Sequence, residues 1–119
     1  MKIICVDDEN LVLELVVRLC EELPQINEVV SFSSSPEALE YMKNNSADLA
    51  LLDIEMPKMN GIDALTEVMK YDPDANVIMC SDQKYESMIM MALKKGAKDF
   101  VIKPFTSYDI LLAVKKLFE

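Results

Sequence analysis

Short apolar runs alternate along the chain with longer stretches that mix apolar and polar residues. The runs lie at residues 2–6 (KIICV), 28–32 (EVVSF), 49–52 (LALL), 76–80 (NVIMC) and 100–102 (FVI). Their length and composition are typical of β-strands, and they are too uniformly apolar for a sheet with one face in water. We therefore predict a sheet that helices cover on both faces.

The stretches between the runs have the spacing of helices with one buried face. In the first stretch, Pro24 ends a stripe of apolar residues formed by Val12, Val16, Leu19, Cys20 and Leu23. The second helix is predicted to have Ser35 as its N-cap and Pro36 as its first residue.

The last three helices complete a regular alternation. The third is predicted to open at Asn60 and Gly61, the fourth to cover about 84–95, and the fifth about 107–118. Strand and helix thus alternate five times, which predicts an α/β fold with a doubly wound, parallel, five-stranded sheet. In such sheets ligands bind beyond the carboxyl ends of the strands.

Polar side chains follow four of the five predicted strands at the point where each strand ends. They are Asp7 and Asp8 after the first, Asp53 after the third, Ser81 after the fourth, and Lys103, followed by Pro104, after the fifth. Because the carboxyl ends of parallel strands meet at one edge of a sheet, we expect these side chains to lie close together. One polar strand end is ordinary, whereas four chemically matched ends indicate a site.

The chemistry of these residues suits a cation and a phosphoryl group. Three neighbouring carboxylates repel by about 4 kcal/mol per close pair at an effective dielectric constant near 20, so they need neutralising. All-oxygen ligands favour Mg²⁺, with Mn²⁺ as the alternative. A cation, an ammonium and a hydroxyl can together hold a phosphoryl group, while an aspartate beside them acts as the nucleophile and forms an acyl phosphate.

Composition narrows the class of protein. The 119 residues, 51% hydrophobic and 28% charged, fit one folded domain spanning 1–119. A net charge of −9 argues against direct binding of nucleic acid. No apolar stretch is long enough to span a membrane and the first residues do not resemble a signal peptide, so we expect a cytoplasmic location.

Two residue types limit the chemistry further. Histidine is absent, so any histidine chemistry must come from a partner. Cys5, Cys20 and Cys80 are widely spaced in apolar surroundings, which predicts reduced, buried thiols and neither a disulfide nor a zinc site.

The motifs IICVDDEN, LLDIEMPKMNGIDAL, VIMCS and GAKDFVIKPF resemble, in order and spacing, those of the receiver domain of two-component response regulators. The resemblance covers essentially the whole chain and implies a flavodoxin-like, chemotaxis-regulator-like fold with strand order 2-1-3-4-5. It implies that Asp53 accepts a phosphoryl group from the phosphohistidine of a sensor histidine kinase, in a Mg²⁺-dependent reaction followed by slow autodephosphorylation. The phosphorylated chain would then control an output domain or a partner protein.

The resemblance also assigns roles within the site. Asp8 and Asp53 would bind Mg²⁺ directly and Asp7 through water, with the backbone carbonyl of Glu55 as a further ligand. Lys103 would pair with the phosphoryl group.

The remaining implied roles concern switching and contacts. Ser81 would be drawn towards the phosphoryl group while Phe100 moves between outward and inward rotamers, and the bond before Pro104 is expected to be cis. Targets, or a second copy on activation, would meet the face formed by the fourth helix, the fifth strand and the fifth helix, about residues 84–117. Met88, Met90 and Met91 lie in that helix, and we expect two of the three to fill the core.

Three residues near the predicted site differ from the family pattern or are expected to affect the rate of hydrolysis. Asp82 stands where the family usually has a small residue; it could hinder phosphorylation by repulsion, alter hydrolysis, or point into solvent. Glu55 and Gln83 flank the route of the attacking water in the family, so we expect them to tune the lifetime of the phosphorylated state.

Other classes of protein fit the sequence less well. A flavodoxin-type electron carrier needs a phosphate loop rich in Ser, Thr or Gly after the first strand, and DDEN would repel the FMN phosphate. A haloacid-dehalogenase-type phosphatase carries its nucleophile in D-x-D after the first strand. A degenerate receiver that docks partners without phosphorylation is the remaining alternative, and the complete set of strand-end residues weighs against it.

Overall fold

Five strands and five helices alternate along the chain, as the apolar pattern predicts. The computed structural model describes residues 1–83 and 85–118. The elements are β1 (Lys2–Val6), α1 (Asn10–Glu21), β2 (Glu28–Phe32), α2 (Ser35–Asn44), β3 (Leu49–Asp53), α3 (Gly61–Tyr71), β4 (Val77–Ser81), α4 (Glu86–Lys94), β5 (Asp99–Ile102) and α5 (Ser107–Phe118).

The strands form one parallel sheet in the order β2-β1-β3-β4-β5, which confirms the predicted fold class. Val6 at the end of β1 lies beside Leu52 of β3, and the next residue of β3, Asp53, lies beside Cys80 of β4. The strand order changes direction between β1 and β3, so a crevice opens there beyond the carboxyl ends of the strands. The register thus places the strand-end residues at one edge.

Helices cover both faces of the sheet, because successive side chains of a strand point to opposite sides. In β1, Ile3 and Cys5 pack with α1 and α5, whereas Ile4 and Val6 pack with α2, α3 and α4. Every residue of β3 and of β4 is buried. Burial along their whole length therefore holds the side chains at the ends of β3 and β4 in a fixed position.

The ends of four elements, β3, β4, α2 and α4, differ from the sequence prediction. β3 and β4 each run one residue further than their apolar runs, so Asp53 and Ser81 belong to the sheet itself. The prediction that Ser35 caps α2 was wrong: Ser34 is the N-cap, and Ser35 is buried with its hydroxyl 3.8 Å from the sulfur of Met56. The predicted start of the fourth helix falls on Lys84, outside the described residues, and α4 begins at Glu86.

The methionines of α4 are more exposed than the sequence suggested. Met88 is half-buried and packs against the core, but Met90 and Met91 are 48% and 49% exposed. The expectation that two of the three fill the core was therefore wrong. α4 meets the sheet through a narrow stripe in which Ala92 is the fully buried residue, so Met90, Met91 and Leu93 are left exposed.

Two further sequence predictions can be compared with the structure. Cys5, Cys20 and Cys80 are buried and free, as predicted, and the sulfurs of Cys5 and Cys20 lie 3.9 Å apart. That separation is well beyond the roughly 2.05 Å of a disulfide bond. Within residues 1–83 and 85–118, no helix combines the length and the apolar character that crossing a membrane requires.

Gly61 provides a test of how tightly α3 is packed against the end of β3. Its backbone N–H donates to the carbonyl of Ile54 at 2.9 Å, and a Cβ at this position would contact the carbonyl oxygen of Asp53 and lie 2.9 Å from Cα of Ile54. Helix propensity alone would make Gly61→Ala stabilising by about 0.5–1 kcal/mol. We predict the opposite, a loss of about 1–3 kcal/mol in the free energy of unfolding, because the strand backbone cannot move aside.

Urea denaturation would measure this effect, with Ser87→Ala at an exposed position of α4 as the control for propensity. A Gly61→Ala variant as stable as the wild type would show that the two backbones can separate without cost.

Candidate functional site

Three carboxylates converge beyond the ends of β1 and β3. Asp7 and Asp8 follow β1 directly and Asp53 is the last residue of β3. One carboxylate oxygen of each lies within 4.8 Å of the others. Asp7 and Asp53 are each only 3% exposed, so water screens their mutual repulsion poorly.

Lys103 follows the edge strand β5 and bridges two of these carboxylates. Its Nζ donates to Oδ2 of Asp7 at 2.7 Å and to Oδ1 of Asp53 at 2.8 Å. The Lys103 backbone N–H donates to the carbonyl of Ser81 at 2.8 Å, which continues the pairing of β5 with β4, and its peptide bond to Pro104 is cis. β5 thus brings an ammonium group into a cluster that β1 and β3 supply with acid.

Burial and charge act against each other in this cluster. Burial raises the pKa of Asp53 to about 7, and the charges of Asp7 and Glu55 add to this, although Lys103 pulls the pKa down. Burial lowers the pKa of Lys103, but its hydrogen bonds to Asp53 and Asp7 outweigh that effect and leave the pKa raised. Lys103 therefore stays charged at neutral pH.

The donor set fits a hard divalent cation. One ammonium faces three carboxylates, so the cluster keeps a net negative charge although it is largely buried. The atoms that could bind a cation are all carboxylate oxygens. Such a set favours Mg²⁺ over metals that prefer nitrogen or sulfur ligands.

The hydroxyl of Ser81 lies at the end of β4, beside the carboxylates. It donates to a carboxylate oxygen of Glu55 and accepts from the backbone N–H of Gln83 at 2.9 Å. From the sequence we predicted that Glu55 offers its backbone carbonyl to the metal and tunes hydrolysis, but not that its side chain accepts from Ser81. The signal was present, since Glu55 follows Asp53 by two residues and β3 lies next to β4.

The other residues singled out in the sequence lie around this centre. Asp82 is exposed, and its Oδ1 accepts from the side-chain amide of Gln83 at 3.3 Å. Phe100, on β5, is half-buried and packs against the same core layer as Met88.

Two clefts flank the carboxylates and give access to them. One, of about 350 Å³, is lined by Asp8, by residues 33–37 and by residues 56–59. The other, of about 310 Å³, includes Lys103, Pro104 and Asp82 in its lining. Asp8 and Lys103, two residues of the cluster, are thus each part of the wall of a cleft.

Fold and site together define a class: a doubly wound α/β protein with an acidic, lysine-bridged cluster at its strand ends. The family model for the response regulator receiver domain matches residues 3–115. The chain therefore belongs to the response regulator receiver domain family, as the motifs predicted.

Individual relatives agree over most of the chain. The chemotaxis protein CheY of Listeria monocytogenes is 35% identical over 116 residues, 98% of this chain and 97% of that protein. The CheY of Thermotoga maritima is 46% identical over 81 residues, 68% of each. A chain in the crystal structure of the CheX–CheY–BeF3–Mg²⁺ complex from Borrelia burgdorferi superimposes with a TM-score of 0.93 at 31% identity, covering 100% of this chain and 90% of that one.

Membership of this family carries a general function. Response regulator receiver domains act in two-component signal transduction, and phosphorylation and conformational switching are typical of them. They bind Mg²⁺ at acidic residues, and Asp7, Asp8 and Asp53 form an acidic cluster in this chain.

The buried charge of Asp53 leads to a prediction on stability. In the unfolded chain an Asp carboxyl has a pKa near 4, whereas burial raises it to about 7 in the folded protein. The unfolded state therefore loses its proton first, and the free energy of unfolding of the wild type falls as pH rises from about 4 to about 7. Asp53→Asn removes this loss, so the variant should be more stable at pH 8 by about 2 kcal/mol.

Urea denaturation in EDTA between pH 5 and pH 8 would measure the difference, with Asp74→Asn, at an exposed site, as the matched control. A gain for Asp53→Asn that does not grow with pH would contradict the assignment of its cause.

Proposed function

We propose that Asp53 is the phosphoryl acceptor of this receiver domain and that a sensor histidine kinase is its donor. The observation that carries the proposal is the position of Asp53: it ends a fully buried central strand, lies within the acidic cluster, and accepts a hydrogen bond from Lys103. On this proposal the 119 residues form one receiver domain, located in the cytoplasm.

The transfer step requires a carboxylate nucleophile and a leaving group. A carboxylate oxygen of Asp53 attacks the phosphorus of a phosphohistidine, and the bond between phosphorus and nitrogen breaks. The electron pair stays on the imidazole nitrogen, which takes up a proton, and an acyl phosphate remains on Asp53. Since this chain has no histidine, the donor imidazole belongs to the kinase.

Lys103 supports the transfer from within the chain. Its ammonium already lies 2.8 Å from Oδ1 of Asp53, so it is placed to offset negative charge on the oxygens of an incoming phosphoryl group. Asp7 holds this ammonium from the other side at 2.7 Å. The two contacts fix the direction of the lysine side chain before any donor arrives.

The hydrogen bonds of Asp7 support the ligand roles that the family resemblance implies. Asp7 accepts from Lys103 with Oδ2 and from the N–H of Glu9 with Oδ1, which supports an indirect role through water. Asp8 and Asp53 would bind Mg²⁺ directly, with the backbone carbonyl of Glu55 as a further ligand, and Mn²⁺ could replace it. Bound Mg²⁺ supplies positive charge that offsets the charge of the phosphoryl oxygens.

Switching and partner contacts would use the side of the molecule around β5. Ser81 would turn towards the phosphoryl group and Phe100 would change rotamer, shifting an equilibrium between two conformations. The apolar residues that α4 and α5 expose support a contact face for a target, an output domain or a second copy: Met90, Met91, Leu93, Tyr108, Leu112 and Phe118. The acidic chain would not bind nucleic acid directly.

Mass spectrometry after incubation with a small phosphodonor and Mg²⁺ tests the acceptor. We expect one phosphoryl adduct on the wild type and on the control Asp74→Asn, and none on Asp53→Asn, because an amide cannot form the acyl phosphate. EDTA should abolish the adduct on the wild type. An unmodified wild type would favour the phosphorylation-independent docking module, and equal adducts on wild type and Asp53→Asn would place the acceptor elsewhere.

The proposed contact face leads to a separate prediction. Activation with beryllofluoride and Mg²⁺ should change amide chemical shifts in α4, β5 and α5, beyond the residues that touch the carboxylates. Two-dimensional NMR spectra with and without the activator would measure this. Shifts confined to the loops around Asp53 would rule out this face as the switched surface.

A further inference from the structure

We infer that the side chain of Glu55 is a latch that holds the hydroxyl of Ser81 in the unphosphorylated protein. The inference rests on the proposed role of Asp53 as the phosphoryl acceptor. It assigns to Glu55 a positioning role that is separate from any metal contact through its backbone carbonyl.

The surroundings of Ser81 leave its proton few destinations. Ser81 is 0% exposed, so water does not compete for its hydroxyl. The backbone N–H of Gln83 donates to Oγ at 2.9 Å and so occupies an acceptor position of this oxygen. The proton of Ser81 goes to the carboxylate of Glu55, which comes from the end of the neighbouring strand.

A hydroxyl carries one proton, and this limits what Ser81 can do. It cannot donate to Glu55 and to a phosphoryl oxygen at Asp53 at the same time. A buried hydroxyl without an acceptor is unfavourable, so the proton passes from one acceptor to the other and does not remain unpaired. Release of Glu55 is therefore a condition for the bond between Ser81 and the phosphoryl group.

Charge favours the exchange once the phosphoryl group is present. A phosphoryl group brings a charge of about −1.5 to −2 and strong acceptor oxygens, which repel the carboxylate of Glu55 and attract the Ser81 proton. Glu55 itself is exposed, so its carboxylate can turn into water after release. By linkage, a contact that must be broken lowers the affinity of the site for the phosphoryl group, and its loss should raise that affinity.

The simpler possibility is that Glu55 acts only through its negative charge, without holding Ser81. The two cases differ in whether the effect of removing Glu55 depends on Ser81. A double-mutant cycle measures this dependence, because a latch requires both side chains while a charge effect requires one.

The experiment measures the affinity of the Mg²⁺-loaded protein for beryllofluoride, a stand-in for the phosphoryl group, by NMR titration. We expect Glu55→Ala to bind about 10-fold more tightly than the wild type, since a charge-assisted hydrogen bond is lost from the unbound state only. In the Ser81→Ala background the same change should give about 2-fold or less, the remaining effect of charge. Glu55→Gln keeps a neutral acceptor and should fall between.

Two controls keep the result specific. Glu40→Ala removes the same charge from an exposed position on α2 and should leave the affinity unchanged. Urea denaturation of each variant checks that it is folded at the temperature of the titration.

The outcomes separate the latch from the proposed function. Equal gains from Glu55→Ala in both backgrounds, or a loss of affinity, would overturn the latch while leaving Asp53 as the acceptor. A wild type that does not bind beryllofluoride in the presence of Mg²⁺ would overturn the proposed function, and the latch with it.

Discussion

Lys103 joins the ends of three strands through one ammonium group. It follows β5, and it donates to Asp7 after β1 and to Asp53 at the end of β3, residues 96 and 50 positions away in the chain. Without it, buried carboxylates at adjacent strand ends would repel one another with little screening by water. The arrangement of these strand ends and the acidic site therefore both depend on the hydrogen bonds of Lys103.

The neutralisation by Lys103 is incomplete, because one ammonium faces three carboxylates. The residual negative charge favours a bound cation, and burial raises the pKa of Asp53 to about 7, so the acidic cluster is unfavourable for folding while no cation is bound. The fully buried strands β3 and β4 and the close approach of Gly61 to the backbone of Asp53 hold the cluster in place. The stability that the hydrophobic core provides thus offsets the electrostatic repulsion between the carboxylates at the strand ends.

Ser81 connects the acidic site with the surface around α4. Its carbonyl accepts from the backbone of Lys103, its hydroxyl donates to Glu55, and α4 begins five residues later at Glu86. A change of partner at Ser81 would therefore act on a short segment that leads to exposed Met90 and Met91. Those methionines are exposed because α4 packs on the sheet through a narrow stripe, and adaptable apolar side chains suit a regulated contact.

The sequence by itself determined the alternation of strands and helices, the sheet order through the motifs, and the residues that end each strand. These features are local: side-chain period, proline and glycine positions, and the point where an apolar run stops all act within a few residues. The tertiary structure decided the rest. The pattern of residues predicted Glu55 near the site but not the contact of its side chain with Ser81. The predicted cap of α2 and the predicted burial of the α4 methionines were wrong. Such details depend on strand register, on the reach of side chains between neighbouring strands and on how wide a stripe each helix buries, which no single stretch of the chain contains.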